Sequence, residues 1–174
     1  NLAKTIYMVE GPQLRAAYKN RIKSLDNSIS SFIVNAVAHE KSVPHINYNI
    51  YHYTVDNVWS SPNYNIETWP ETIGLFGTTN SKNPEYTENF TVMAYMRYEE
   101  CKKWENSFQT KPHFTEGRGQ DYEDFKIEKA EKILNVLYER MPSLKGTIKS
   151  YTCATPLTYR DYIGSRDGTL YGVI

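Results

Sequence analysis

The run GQDYEDFKIEKAEKILNVLYERMP, residues 119 to 142, constrains the fold of this chain more than any other segment. Ile127, Ala130, Leu134, Leu137 and Met141 recur at offsets of three, four, three and four, the spacing that gathers side chains on one stripe of an α-helix. Pro142 ends the run, because it has no N–H to donate and its ring clashes with the preceding turn. Phe125 and Val136 fall nearly opposite the stripe, facing solvent or a surface that the chain does not contain. A helix of this length must lay its stripe on something.

Period-two segments supply that surface. SSFIVNAVAHE (30 to 40), HINYNIYHY (45 to 53), TIGLFGTT (72 to 79), NFTVMAYMRY (89 to 98) and the β-branched GTIKSYTCA (146 to 154) read as strands. The fourth is apolar on both faces, through Phe90, Val92, Ala94 and Met96 against Met93 and Tyr95, as expected of a central strand covered on each side. Near the N-terminus, residues 10 to 28 read as an amphipathic helix. It opens at Pro12, carries Leu14, Tyr18, Ile22 and Leu25 on one face, and turns Arg15, Lys19, Arg21 and Lys23 to solvent. Residues 54 to 70, rich in Asn, Ser, Pro and Trp, read as an irregular excursion. The order of helix, strands, helix and strand shows no βαβ alternation and no repeat. An α+β domain results, a mainly antiparallel sheet with helices packed on it.

At 174 residues one domain is expected. Lys plus Arg and Asp plus Glu are both 20, so no net field steers the chain toward nucleic acid or an anionic membrane. No apolar run approaches the roughly 18 residues of a membrane span. Cys101 and Cys153 stand far apart without a CxxC, which points to a reducing, cytoplasmic setting and to Cys153 as a small buried hydrophobe. The chain starts at Asn1 without an initiator Met, and we expect a fragment of a longer protein.

Local motifs are few. Gly117-Arg118-Gly119 precedes the long helix, but Tyr122 stands where a dinucleotide fingerprint needs its third glycine and the preceding QTKPHFTE is no buried strand. No phosphate-cradling P-loop and no GxSxG elbow occurs. His39, His45, His52 and His113 lack metal-ligand spacing, so no metal is expected. The acidic pairs at 99 to 100 and 123 to 124 suit helix starts rather than acid-base catalysis. No catalytic residue can be named. The 15 tyrosines fit either a core or the wall of an apolar ligand site.

One ordered set of residues is more specific. Met141-Pro142, the strand ending at Ala154, Thr155-Pro156-Leu157-Thr158, Tyr162-Ile163-Gly164 and Gly168-Thr169-Leu170-Tyr171-Gly172 together resemble one stretch of the flavin-dependent phytoene desaturase, carotenoid isomerase and retinol saturase family. Residues 14 to 34 and 118 to 134 look like that family's helix with its Ser-rich strand and like its long pre-proline helix. The resemblance implies the substrate-side domain of an amine-oxidase-like flavoenzyme that acts on carbon-carbon double bonds of a polyene or other apolar small molecule. It further implies FAD in the parent protein, not bound by this chain alone, with NAD(P) as a candidate co-reductant. The flavin domain of the same polypeptide becomes the expected partner, and any membrane contact in the parent is peripheral, through the substrate.

On this reading Thr155, Thr158, Tyr162 and Tyr171 are the candidates for the substrate or cofactor cleft, while Gly164, Gly168 and Gly172 allow tight turns or close backbone approach. The tail from 155 to 172 has too few aliphatics for a core helix and too many aromatics for a plain solvated loop. Should Tyr162 and Tyr171 lie sealed in a finished core, the reading fails. The alternative is a stand-alone binding module for an apolar or glycan ligand.

Overall fold

A computed structural model describes residues 2–9, 11, 13–79, 81–109 and 117–174. Pro12, His113 and most of the QTKPHFTE stretch lie outside the described residues. Two helices, α1 (Leu2–Met8) and α2 (Ala16–Ser24), precede strands β1 (Ser30–Ala38), β2 (Ile50–Tyr53), β3 (Thr72–Thr78) and β4 (Asn89–Met96). They are followed by helix α3 (Gln120–Arg140), strand β5 (Ile148–Ala154) and helix α4 (Pro156–Ile163). The sheet order is β2-β3-β4-β1-β5, and the β2–β3, β3–β4 and β1–β5 pairs run antiparallel. This is an α+β fold. The residues cluster into two compact units: a sheet unit of residues 32–95 and 119–154, and a tail unit of residues 1–31, 96–118 and 155–174.

Alternation governs the sheet unit. In β1 the side chains of Phe32, Val34, Ala36 and Ala38 are buried while Asn35 and Val37 are exposed, one face to the core and one to water. In β4, the middle strand, Phe90, Val92 and Ala94 are buried, and Thr91, Met93 and Tyr95 on the other face are half-buried. Helix α3 buries Tyr122, Lys129, Ala130, Ile133, Leu134 and Leu137. Ile127, assigned to the stripe from its spacing, is instead 46% exposed, and Phe125 and Val136 are half-buried. The buried stripe runs instead through Tyr122, Lys129 and Ile133, and Lys129, 5% exposed, sets its ammonium 4.5 Å from the centre of the Trp69 ring. Trp69 in turn meets Phe32 edge-on at 6.2 Å and donates from Nε1 to the Tyr95 carbonyl at 2.7 Å. The irregular 54–70 stretch thus ends in a core residue, after a 3-10 turn at Val58–Asn63.

Strand β2 is shorter than the alternation of 45 to 53 predicts. His45 N–H donates to the Glu85 carbonyl and Ile46 N–H to Thr87 Oγ1, each at 2.9 Å, so this backbone is engaged by the loop before β4 rather than by β3. Tyr48 is 63% exposed. Cys153, expected to be buried, is half-buried in edge strand β5, whereas Cys101 is fully buried.

The tail unit departs further from expectation. The 10–28 helix contracts to α2, which buries only Ile22 and leaves Tyr18 exposed. The 155–172 stretch does contain a helix, α4, although its aliphatic content argued against one. Its caps explain it: Pro156 occupies the first turn, Thr155 Oγ1 accepts from Leu157 N–H at 3.2 Å, Thr158 Oγ1 accepts from Thr155 N–H at 3.1 Å, and Gly164 closes the C-terminus at φ 72. Pro156 and Leu157 are its buried apolar residues.

Candidate functional site in the tail unit

The seven residues singled out from the sequence divide by role. Thr155 is fully buried and, with Thr158, spends its hydroxyl on the capping box of α4. Tyr162 and Tyr171 are each 67% exposed, and they share the surface of this unit with Ile163 and Ile174. Neither tyrosine is sealed in a core. Gly168 has φ 62, and a Cβ there would meet the Pro156 carbonyl oxygen at 2.1 Å, so its close neighbour is this chain's own backbone. Gly172 also has positive φ, but a Cβ there would meet nothing within 4 Å.

The backbone that carries Tyr171 is fixed by serines and threonines of the segment leading into β1. Ser28 N–H donates to the Gly172 carbonyl at 2.8 Å, Leu170 N–H to the Ile29 carbonyl at 3.1 Å, and Tyr171 N–H to Ser28 Oγ at 3.0 Å. Ser28 and Thr169 share a hydroxyl–hydroxyl bond of 2.5 Å, and Ser30 Oγ donates to the Gly168 carbonyl. Ser31 Oγ bonds the Tyr159 hydroxyl at 2.7 Å. Burial nevertheless holds the Tyr159 phenol above the usual range, against the opposing effect of that bond.

A second network anchors α4. The Asp161 carboxylate, fully buried, pairs with Arg118 and accepts from Gln109 N–H at 2.9 Å, while its other oxygen accepts from Arg160 Nε at 2.9 Å. Arg160 also donates to the carbonyls of Glu105 and Ser107 and, at 3.3 Å, to the Tyr98 hydroxyl, with its guanidinium 4.1 Å from the Phe108 ring centre. Sequence reasoning missed this cluster. Arg118 and Asp161 stand 43 positions apart and no local motif joins them.

Two cavities open on the unit. One, of about 360 Å³, lies among Ile163, Thr169, Leu170, Tyr171 and Val173, with Ser165 and Gly172 completing its wall. Such an apolar wall with a few hydroxyls suits an apolar ligand or the flank of a neighbouring domain. The other, of about 390 Å³, is basic and is lined by residues of α1, α2 and the end of α4. Desolvation raises the pKa of Tyr98 on its wall, against the opposing hydrogen bond and charge of Arg160.

A dinucleotide cofactor finds no cradle at the Gly117–Gly119 turn. Gly119 caps α3 at φ 90, but Tyr122, 1% exposed, fills the place where a pyrophosphate-binding turn requires its last glycine. Among the described residues this turn does not fit the pyrophosphate of FAD. Among the described residues no group of three or more His, Cys, Asp and Glu is placed to hold a metal ion, and no helix is long and apolar enough to cross a membrane.

No family model matches the chain. It is similar to proteins named all-trans-retinol 13,14-reductase, at 29% identity over 104 residues for that of Homo sapiens (56% of this chain, 16% of that protein). The corresponding values are 28% over 143 residues for Macaca fascicularis (75% and 22%) and 30% over 98 residues for Rattus norvegicus (53% and 15%). The matched segment thus spans only 15% to 22% of the length of these relatives.

Proposed function

We propose that this chain is the substrate-side part of a flavin-dependent oxidoreductase that acts on carbon-carbon double bonds of a polyene such as all-trans-retinol. The similarity to the retinol reductases carries the reading. It is supported by exposed apolar side chains of the tail unit, where Tyr162, Ile163, Tyr171 and Ile174 are each more than 60% exposed. Apolar area of this kind is stabilised when an apolar ligand or a second domain covers it. The flavin, held by the parent polypeptide outside this chain, supplies the redox chemistry. What this chain contributes is orientation and exclusion of water: Tyr162 and Tyr171 form part of the wall, and the buried network around Asp161 keeps that wall rigid.

The test is to incubate the product of the complete reading frame with all-trans-retinol and a reductant, and to follow loss of one conjugated double bond by absorbance. Tyr162→Ala and Tyr171→Ala should each lower the rate about tenfold, the scale of one lost apolar contact in a binding pocket. Turnover unaffected by both changes removes these residues from the wall; a folded product with no activity on any polyene removes the function. A second reading, a stand-alone module that binds an apolar or glycan ligand without redox chemistry, is favoured by the exposed Tyr48, Tyr51 and Trp59 of the sheet unit. It predicts saturable quenching of aromatic fluorescence by oligosaccharides or retinoids with this chain alone.

A further inference from the structure

The basic cavity of the tail unit has no part in the polyene reading. Its wall holds four cations, Lys4, Lys23, Arg160 and Arg166, against one carboxylate, Asp167. The two arginines are largely committed. Arg160 pairs with Asp161 at 2.8 Å, and Arg166 donates to the Lys23 and Leu25 carbonyls at 2.6 and 3.0 Å with Asp167 at 3.5 Å. They set the field of the cavity rather than its contacts. Lys23, exposed on α2, holds its ammonium 5.0 Å from the Tyr7 ring centre, and Lys4 reaches the same cavity from α1. At Gly164 a Cβ would stand 2.8 Å from Lys4 Nζ, so the missing side chain leaves room for that ammonium.

A second observation comes from Ser165, which borders this cavity as well as the apolar one. It is 5% exposed, and its hydroxyl has no hydrogen-bond partner among the described residues. A buried hydroxyl left unsatisfied is unfavourable, and an apolar ligand would leave it so. We propose that this cavity binds a phosphate group, which accepts the Ser165 hydroxyl and the lysine ammoniums on separate oxygens. The donors belong to α1, α2 and the residue after the C-cap of α4, and a phosphate offers more acceptor oxygens to share among them than a carboxylate does. Lysines serve such a group as point charges. A free phosphate ion and a phosphate ester share this chemistry.

The experiment is calorimetric titration of the 174-residue chain with inorganic phosphate, glycerol phosphate and acetate at matched ionic strength. Saturable phosphate binding is expected. It should weaken about tenfold in Lys23→Gln and several-fold in Ser165→Ala, the scale of one charge-assisted and one neutral hydrogen bond. Lys23 is exposed and Ser165 loses only an unsatisfied hydroxyl, so both variants should keep the wild-type circular dichroism, and Ser165→Ala should melt no lower than the wild type. Tighter binding of glycerol phosphate assigns the site to an ester, tighter binding of inorganic phosphate to the free ion. Three results overturn the proposal: no saturable phosphate binding by the folded chain, acetate binding as tightly as phosphate, or both variants binding like wild type. Lys23 borders the basic cavity and not the apolar one, so the phosphate titration of Lys23→Gln fails separately from flavin content and polyene turnover.

Discussion

In the sheet unit the side chains at 1% exposure or less include Phe32, Val34, Leu75, Phe90 and Val92, an apolar core laid down by strict alternation. In the tail unit complete burial extends to Thr155 and the Asp161 carboxylate, while Tyr162, Ile163, Tyr171 and Ile174 stand outside. One unit is stabilised chiefly by removing apolar area from water, the other by hydrogen bonds and charge pairing around a small apolar centre. The contrast teaches where each unit is vulnerable. Apolar cores fail by losing volume, whereas buried charges fail by losing partners.

The largest effect follows from that contrast. Asp161→Ala leaves Arg118 without its buried carboxylate and should cost about 3–5 kcal/mol in urea unfolding, comparable with Phe32→Ala in the sheet unit. A loss below about 1 kcal/mol for Asp161→Ala would show that the tail unit does not depend on its polar centre. Next come the glycines. Gly168→Ala, blocked by the Pro156 carbonyl as well as by its positive φ, should cost about 1–3 kcal/mol, and Gly172→Ala, with open space around it, less. Equal losses at the two positions would mean that backbone conformation alone, not the close approach, sets the cost.

A smaller effect separates the units by pH. Burial pushes the Cys153 thiol in the sheet unit from 9.0 up to about 11. The folded state therefore holds this proton more tightly than the unfolded chain. Its contribution is complete below pH 9 and is lost as pH rises toward 11. Stability of the wild type should decline more steeply over that window than stability of Cys153→Ala, measured by urea midpoints. Parallel curves would show the thiol to be well solvated. The smallest effects belong to Tyr162→Ala and Tyr171→Ala, which should stay within about 0.5 kcal/mol of wild type because both side chains are exposed.

The same contrast explains what the sequence made legible. Period-two and helical spacing located β1, β3, β4, β5 and α3 to within a few residues, because an apolar core repeats with the geometry of the backbone. The stripe of α3 was misplaced at Ile127 because a buried lysine stem looks polar to any reading of residue type. Helix α4 escaped notice because it is specified by Thr155, Thr158 and Gly164 as caps rather than by an apolar stripe. In the candidate site, the exposed tyrosines and special glycines were visible as a motif. The Arg118–Asp161 pair and the unsatisfied Ser165 were not, since long-range polar partners leave no period behind.

The central claim, that this chain forms one side of a flavin-dependent enzyme, is tested most directly by the absorbance spectrum of the purified product of the complete reading frame. The account predicts a flavin band near one equivalent per polypeptide, released as FAD on denaturation. A folded, monodisperse product without any flavin would contradict it.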